Sequence, residues 1–346
     1  MFQNLLRPIY RCEPIASTAS LAKALGVEID HLQRLASNAD RLYRLARPIL
    51  KEDGSIRQPF DALPPLKEVH RRLKNGILLK VQYPAYLTGS LKGRDYRTNA
   101  TLHVGSRLLI CEDIQNFFPS VSAARVYDVW KRLFNFSPAV AQLLTQLTVK
   151  EGALPQGAIS SSFLANLVLW EYEPALQAAL TMRGITDSRY VDDIALSSRT
   201  FLSRQDQTRL IADVYGMLAR VGLRAKRKKH ESFDAGHRMV TTKLVMNTRV
   251  ALPQAKRSSV RAAVFQVEGL SREGHMGSGS VKLLDQVSVR VGQLGRFHPR
   301  QAEGLRRRLL EVREVQAVHN VTAGPTVTPQ VLEEKAYGCD GVLPPW

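Results

Sequence analysis

Two adjacent aspartates, Asp192 and Asp193, lie in the run Arg189-Tyr190-Val191-Asp192-Asp193-Ile194-Ala195-Leu196, with apolar residues on both sides. Such a pattern predicts a β-hairpin with the two carboxylates at its tip. Carboxylates crowded there need a cation to neutralise them. A third, Asp113, ends the run Leu108-Leu109-Ile110-Cys111-Glu112-Asp113, which predicts a strand. A carboxylate at a strand end, beside a hairpin tip with two more, can hold two Mg²⁺ ions. Mg²⁺ takes oxygen ligands and keeps several waters, so a few carboxylates plus a triphosphate suffice. Two such ions about 4 Å apart would activate an attacking hydroxyl and stabilise a leaving pyrophosphate in line. Aspartate is also common in ordinary turns, and the Asp-Asp pair taken alone fits that reading better.

The elements that must position these groups can be read from spacing. Two short helices are expected over 17–50, the first ended by Gly26 and the second capped by Asp30, with Leu32, Leu35, Ala39 and Leu42 on one face. Lys51 to Arg57 reads as a charged turn leading into an extended segment, and Pro65 opens a helix with Leu66, Val69, Leu73 and Ile77 inward. After the strand of Asp113, Ser122 and Pro138 each start a helix. An apolar stretch over 158–182 predicts a buried helix that Pro174 kinks or breaks. A helix follows Ser203 and stops at Gly222. Short strands are expected at 230–233, 240–246 and 249–252, then helices at 256–268, 280–294 and 301–318. The order is helical, then mixed, then helical, an α+β chain with an irregular tail over 320–346.

The 49 Lys and Arg against 31 Asp and Glu give a formal net charge of +18 and a pI of about 10.1. That excess points to a polyanionic partner, foremost a nucleic acid. Cys12, Cys111 and Cys339 are odd in number and far apart, which fits reduced thiols rather than a disulfide framework or a zinc site. With no signal-peptide pattern and no apolar run long enough to span a bilayer, a cytoplasmic protein without a membrane partner is expected.

The carboxylates stand in a recognisable series. Asp113-Ile114 with Phe117-Phe118 resembles motif A of reverse transcriptases. Leu154-Pro155-Gln156-Gly157-Ala158-Ile159-Ser160 resembles motif B, Tyr190-Val191-Asp192-Asp193 motif C, and Leu223 to Lys229 the place of motif D. Their order and spacing also match, over roughly residues 15–320. The resemblance implies a right-hand polymerase fold: fingers over 1–105, a palm with an antiparallel sheet packed on helices over 106–235 (with part of the fingers inserted at about 120–155), and a helical thumb over 236–319. It implies that Asp113, Asp192 and Asp193 are catalytic and hold two Mg²⁺ ions, Ile114 adding its backbone carbonyl. Gln156 and Gly157 would floor the nucleotide site. Phe118 would exclude a 2′-hydroxyl, Arg57 would clamp the triphosphate, and Lys229, in competition with Lys226 and Lys228, would protonate the leaving pyrophosphate.

Asn99-Ala100-Thr101-Leu102-His103 resembles the Asn-Ala-X-X-His motif of retron reverse transcriptases. Val240-Thr241-Thr242 stands where those enzymes typically carry Val-Thr-Gly, with Thr242 as a departure. The retron resemblance implies RNA binding through Asn99, His103, Val240, Thr241 and Thr242. Lys256, Arg257 and Arg261 on a thumb helix would add phosphate contacts. The expected partners are a structured non-coding RNA of the same locus, its DNA product, dNTPs and a separate effector protein. The expected activity is DNA synthesis primed from an RNA 2′-hydroxyl, giving branched RNA–DNA (msDNA), in anti-phage defence. Alternatives are another bacterial reverse transcriptase, group II intron-like or defence-associated, or a catalytically silent RNA-binding protein on the same fold.

Overall fold

Leu108–Asp113, Ile185–Tyr190, Asp193–Ser198 and Glu231–Asp234 form one antiparallel sheet; they are numbered β1 to β4. The spatial order is β4-β1-β3-β2. Strand periodicity sorts the side chains by face. Leu108 and Ile110 of β1, with Ile194 and Leu196 of β3, enter the large helix-covered core. Leu109 and Ala195 face the other way, into a small cluster with Met239 and Met246. Asp113 and Asp193 continue this second face to the end of the sheet, as directly opposed residues of β1 and β3.

The computed structural model describes residues 5–50, 54–275 and 278–322, and the chain divides after Pro253 into two units. Within the first, helices Thr18–Leu25 and Ile29–Ser37 pack against Pro138–Thr148. Gly26 ends the first of these in the left-handed region, φ 61°. Asp30 does not cap the second; Glu28 occupies that position without a side-chain bond, and Asp30 lies in the first turn, where its charge suits the helix dipole. Helix Pro64–Gly76 buries Leu66, Val69 and Leu73, with Ile77 just beyond its end. The apolar stretch over 158–182 is two helices, Ser161–Leu167 and Glu173–Met182. Pro174 sits in the first turn of the second, where its missing N–H costs nothing. Two small hairpins precede the Pro64 helix: Tyr43–Leu45 pairs with Phe60–Ala62, and Ile49–Leu50 with Ile56–Arg57. Leu45, Ile49, Leu50 and Ile56 there are exposed to solvent.

The unit boundary falls after Pro253, beyond the expected 236. Residues 237–252 belong to the first unit, because Asn247 O accepts from Gly105 N at 3.1 Å and Thr242 Oγ1 donates to Tyr96 O at 3.0 Å. The second unit packs helices Gln254–Arg272, Ser278–Gly295 and Pro299–Thr322 around Val260, Val264, Val287, Val291, Leu305 and Leu309. Arg308 binds Glu268 through two bonds of 2.5 Å. The last helix runs through Thr322, into the segment expected as tail; residues 323–346 lie outside the described residues, as do Lys51 to Asp53. Among the described residues no helix is long and apolar enough to cross a membrane.

Candidate active site

The hairpin of β2 and β3 turns through Val191 and Asp192, and Val191 has φ 62°, a conformation unfavourable to a β-branched residue. Its surroundings hold it there. Arg189, buried, pairs with Glu173 through bonds of 2.5 and 2.9 Å and donates to Val191 O at 3.1 Å and Asn166 O at 2.9 Å. Asn166 Nδ2 donates to Gly89 O at 2.7 Å. Gly89 lies so close to the turn that a Cβ on it would stand 2.5 Å from Val191 N. Strain of this kind persists only where neighbours over-determine it, and it concentrates at functional sites. Arg189, Glu173, Asn166 and Gly89 escape a reading by spacing, because they are distant in sequence and none matches a catalytic pattern alone.

At the turn Ile114 N donates to Asp192 O at 2.9 Å, joining the end of β1 to the hairpin tip. Burial, and then the charge of Asp113, push the Asp192 carboxyl above its ordinary range, while Arg57 and Lys229 pull it back. Asp193 keeps an open side toward solvent, yet crowding by surrounding protein and the charges of Asp192 and Asp113 raise it too. Lys229 Nζ lies 2.5 Å from Asp113 Oδ2. Burial works against its charge, but the bond to Asp113 and the three carboxylates outweigh that and hold its ammonium above the usual lysine range.

This donor set suits a hard divalent cation. Oxygen ligands abound, and the burial and mutual repulsion that raise Asp192 and Asp193 are what such an ion offsets. Among the described residues no three His, Cys, Asp or Glu side chains close on one point as a preformed cage. The site therefore fits an ion whose shell is completed by waters and phosphate oxygens, as Mg²⁺ prefers.

Around the carboxylates the sequence-selected residues divide. Phe117 is buried in the core and Phe118 is half-buried beside it, ring centroids 5.9 Å apart, after Asn116 at φ 45°. Arg57, on the strand Ile56–Arg57, is near enough for its charge to act on Asp192. Gln156 O accepts from Phe60 N at 2.7 Å, and a Cβ at Gly157, φ 107°, would stand 2.5 Å from Phe60 O. The backbone that Gly157 admits is thus the protein's own, the segment following Arg57. Of the three competing lysines, Lys229 bonds Asp113 through its ammonium, and Lys226 donates its backbone N–H to Asp113 O at 2.7 Å.

Asn99 and His103 do not reach the surface. Asn99 is 1% exposed and His103 0%. Asn99 Nδ2 donates to Thr88 Oγ1 at 2.9 Å and Ser188 Oγ at 2.7 Å, and its Oδ1 accepts from Thr241 Oγ1 at 3.4 Å. The His103 nitrogens lie 2.7 Å from Ser197 Oγ and Ser188 Oγ. The expected direct RNA contact by these two side chains is therefore corrected: they tie helix Tyr96–Leu102 to β2 and β3, because buried polar groups must be paired. Thr241 is buried with them and Val240 is half-buried. Thr242 and Lys243, at φ 46° and 63°, form the two-residue turn between Val240–Thr241 and Leu244–Val245. Such turns need positive φ at both positions and favour glycine or asparagine. Thr242 offsets part of the strain through its bond to Tyr96 O. In the second unit, Arg261 is exposed and bonded to Ser258 Oγ at 2.9 Å, while Lys256 and Arg257 are half-buried. Arg272 lies 5.8 Å from the ring of Phe265, which is itself exposed.

Comparison with known proteins matches residues 49–258 to the family described as reverse transcriptase (RNA-dependent DNA polymerase). The retron Se72 reverse transcriptase of Salmonella heidelberg is 32% identical over 319 residues, 89% of this chain and 83% of that protein. The retron Ec48 reverse transcriptase of Escherichia coli is 25% identical over 93% of this chain and 82% of its own length. For the retron Ec86 reverse transcriptase of Escherichia coli the figures are 26%, 71% and 77%.

Proposed function

This chain belongs to the reverse transcriptase family as an RNA-directed DNA polymerase of the retron type, and on that premise we propose that it copies part of a cognate structured non-coding RNA into DNA, primed from an RNA 2′-hydroxyl. The product is a branched RNA–DNA molecule, made in the cytoplasm and used with a separate effector protein in anti-phage defence. The observation that carries the reading is the meeting of Asp113, Asp192 and Asp193 at the end of β1 and β3, with the Asp192 and Asp193 carboxyls raised and Lys229 bonded to Asp113 as the counter-charge. In this reading residues 1–105 are fingers and 106–235 palm with part of the fingers inserted, and the thumb, expected over 236–319, has its helices in the unit that follows Pro253.

Mg²⁺ ions, when bound, supply the Lewis acidity that readies the attacking hydroxyl and neutralises the leaving pyrophosphate. Asp113 and Asp192 would hold them, with the Ile114 carbonyl, and Asp193 would support the site from outside. Arg57 clamps the triphosphate through its planar fork. Phe118, with its ring half open, excludes a 2′-hydroxyl beneath the incoming sugar. Gln156 and Gly157 hold the floor of that pocket through Phe60. Lys229 Nζ gives up its proton to the leaving pyrophosphate. The basic side chains Lys256, Arg257 and Arg261 hold the RNA by its phosphates, with affinity that falls steeply with salt. Val240, Thr241 and Thr242 shape the RNA-facing hairpin from within, as do Asn99 and His103.

Sequencing the nucleic acid bound to the purified protein tests this. A structured RNA carrying DNA through a 2′–5′ linkage is expected. Protein that carries no such hybrid, and extends only ordinary 3′-hydroxyl primers, would remove the retron priming while leaving the polymerase.

A further inference from the structure

β1 places two acids side by side, and only one belongs to the site described so far. Asp113 points to the face where Asp193 lies; Glu112, its neighbour, points to the opposite, helix-covered face and is 2% exposed. A buried carboxylate of this kind must be fully hydrogen-bonded or it destabilises the fold. Its partners come from two other elements. His230 Nδ1 donates to Glu112 Oε1 at 2.7 Å, and Tyr215 OH, from helix Arg204–Arg220, donates to Glu112 Oε2 at 3.1 Å.

The position of His230 gives this network its meaning. It directly follows the short 3₁₀ turn Arg227–Lys229, whose last residue reaches Asp113. Two consecutive residues of β1, one on each face, thus grip the last residue of the turn and the one after it: Asp113 holds Lys229, and Glu112 holds His230. Upstream the same turn is fixed by backbone bonds, Gln115 N donating to Arg224 O at 2.8 Å and Lys226 N to Asp113 O at 2.7 Å. Downstream the chain passes into β4, where Glu231 pairs with Cys111. Lys229 itself has a half-exposed side chain with several rotatable bonds, so its reach is set by how firmly its turn is held.

We propose that Glu112, His230 and Tyr215 form a latch that positions Lys229 at the carboxylate site. The latch touches no substrate; it acts through Lys229, and it rests on the reading of Lys229 as the proton donor to pyrophosphate. Rigid placement of a catalytic group is worth orders of magnitude in rate, and small displacements forfeit much of it.

The test is a double-mutant cycle read by single-turnover incorporation of one dNTP on a primer annealed to an RNA template, with Mg²⁺ and the full chain. Lys229→Ala, His230→Ala and the double variant are compared, with Tyr215→Phe as a milder second probe of the same latch. Thermal melting of each variant establishes that it is folded. His230→Ala should lower the maximal incorporation rate about tenfold with little change in the dNTP concentration at half-maximal rate. Tyr215→Phe should lower it about threefold. In the Lys229→Ala background His230→Ala should have no further effect, since its route to the chemistry is gone. A merely structural role would slow both backgrounds equally, which would overturn the latch and leave Lys229 standing. If Lys229→Ala alone leaves the rate unchanged, the proton-donor reading fails and the latch with it. If Lys229→Ala slows incorporation and neither His230→Ala nor Tyr215→Phe does, only the latch fails.

Discussion

At the end of β1 and β3, Asp113, Asp192 and Asp193 crowd one another, and Lys229, bonded to Asp113, offsets their charge only in part. Further down the same hairpin, Ser188 and Ser197 close a network with Asn99 and His103 in which the donors and acceptors are paired. Both clusters are polar, and both stand out in the sequence by residue type and spacing. The first keeps its groups in a costly state that a cation relieves, and the second is saturated. Unrelieved charge beside an opening is where chemistry happens, and a saturated buried network is architecture.

The largest effect that could break this contrast is on catalysis. Asp192→Asn with Asp193→Asn should lower Mg²⁺-dependent primer extension by at least about a thousandfold. The same change should raise the melting temperature of the metal-free protein, because it removes the crowded charges. Persisting synthesis, or a lower melting temperature, would make the two clusters alike.

For the saturated cluster the expectation is reversed. His103→Ala should cost about 3 kcal/mol of stability in urea unfolding, since it empties a buried site and takes a partner from each of two buried serine hydroxyls. The folded fraction should keep its RNA affinity in a filter-binding assay. A folded variant with lost affinity would return His103 to the interface.

Acid sharpens the contrast. Burial lowers both His70 and His103 to about 4, from an unfolded value near 6.5. Between those values the unfolded chain binds more protons, so the stability from keeping each ring neutral is complete above about pH 6.5 and is lost as pH falls toward 4. Each histidine should contribute about 2 kcal/mol of lost stability at pH 5 relative to pH 7. The urea midpoint of His103→Ala should therefore fall less over that range than that of the parent; an equal fall would mean that His103 is already charged or exposed in the folded state.

The smallest effect belongs to the turn at Thr242. Replacing it by glycine relieves a left-handed residue, worth about 1–2 kcal/mol, but removes the bond to Tyr96 O, worth about 1 kcal/mol. Thr242→Gly should shift stability by less than about 1 kcal/mol. A larger loss would make the Thr242 bond a member of the saturated network rather than a local repair.

What the sequence made legible follows from how local each signal is. The left-handed stop at Gly26, the inward face of Leu66, Val69 and Leu73, and the hairpin around Asp192 all depend on neighbours within a turn or two. Asn99 and His103 were legible as a pair one helical turn apart, but spacing does not say whether that face looks inward or outward. Glu112 with His230, and Arg189 with Glu173, were not legible, because each pair is made by strands and helices that meet only once the chain has folded. Gly89 and Gly157 belong to the same class: each is required by a backbone atom of a distant segment, Val191 N and Phe60 O.

The small hairpins that carry Arg57 also leave Leu45, Ile49, Leu50 and Ile56 uncovered, on a chain with a net charge of +18. This sets the colloidal behaviour of the protein freed of nucleic acid. At low ionic strength like charge keeps the molecules apart and the uncovered aliphatic side chains stay solvated one by one. Salt high enough to strip bound RNA shortens the screening length to a few ångströms, and the same side chains then favour self-association. Solubility without nucleic acid should therefore fall as salt rises, so a preparation stripped of its RNA is best moved promptly to low ionic strength.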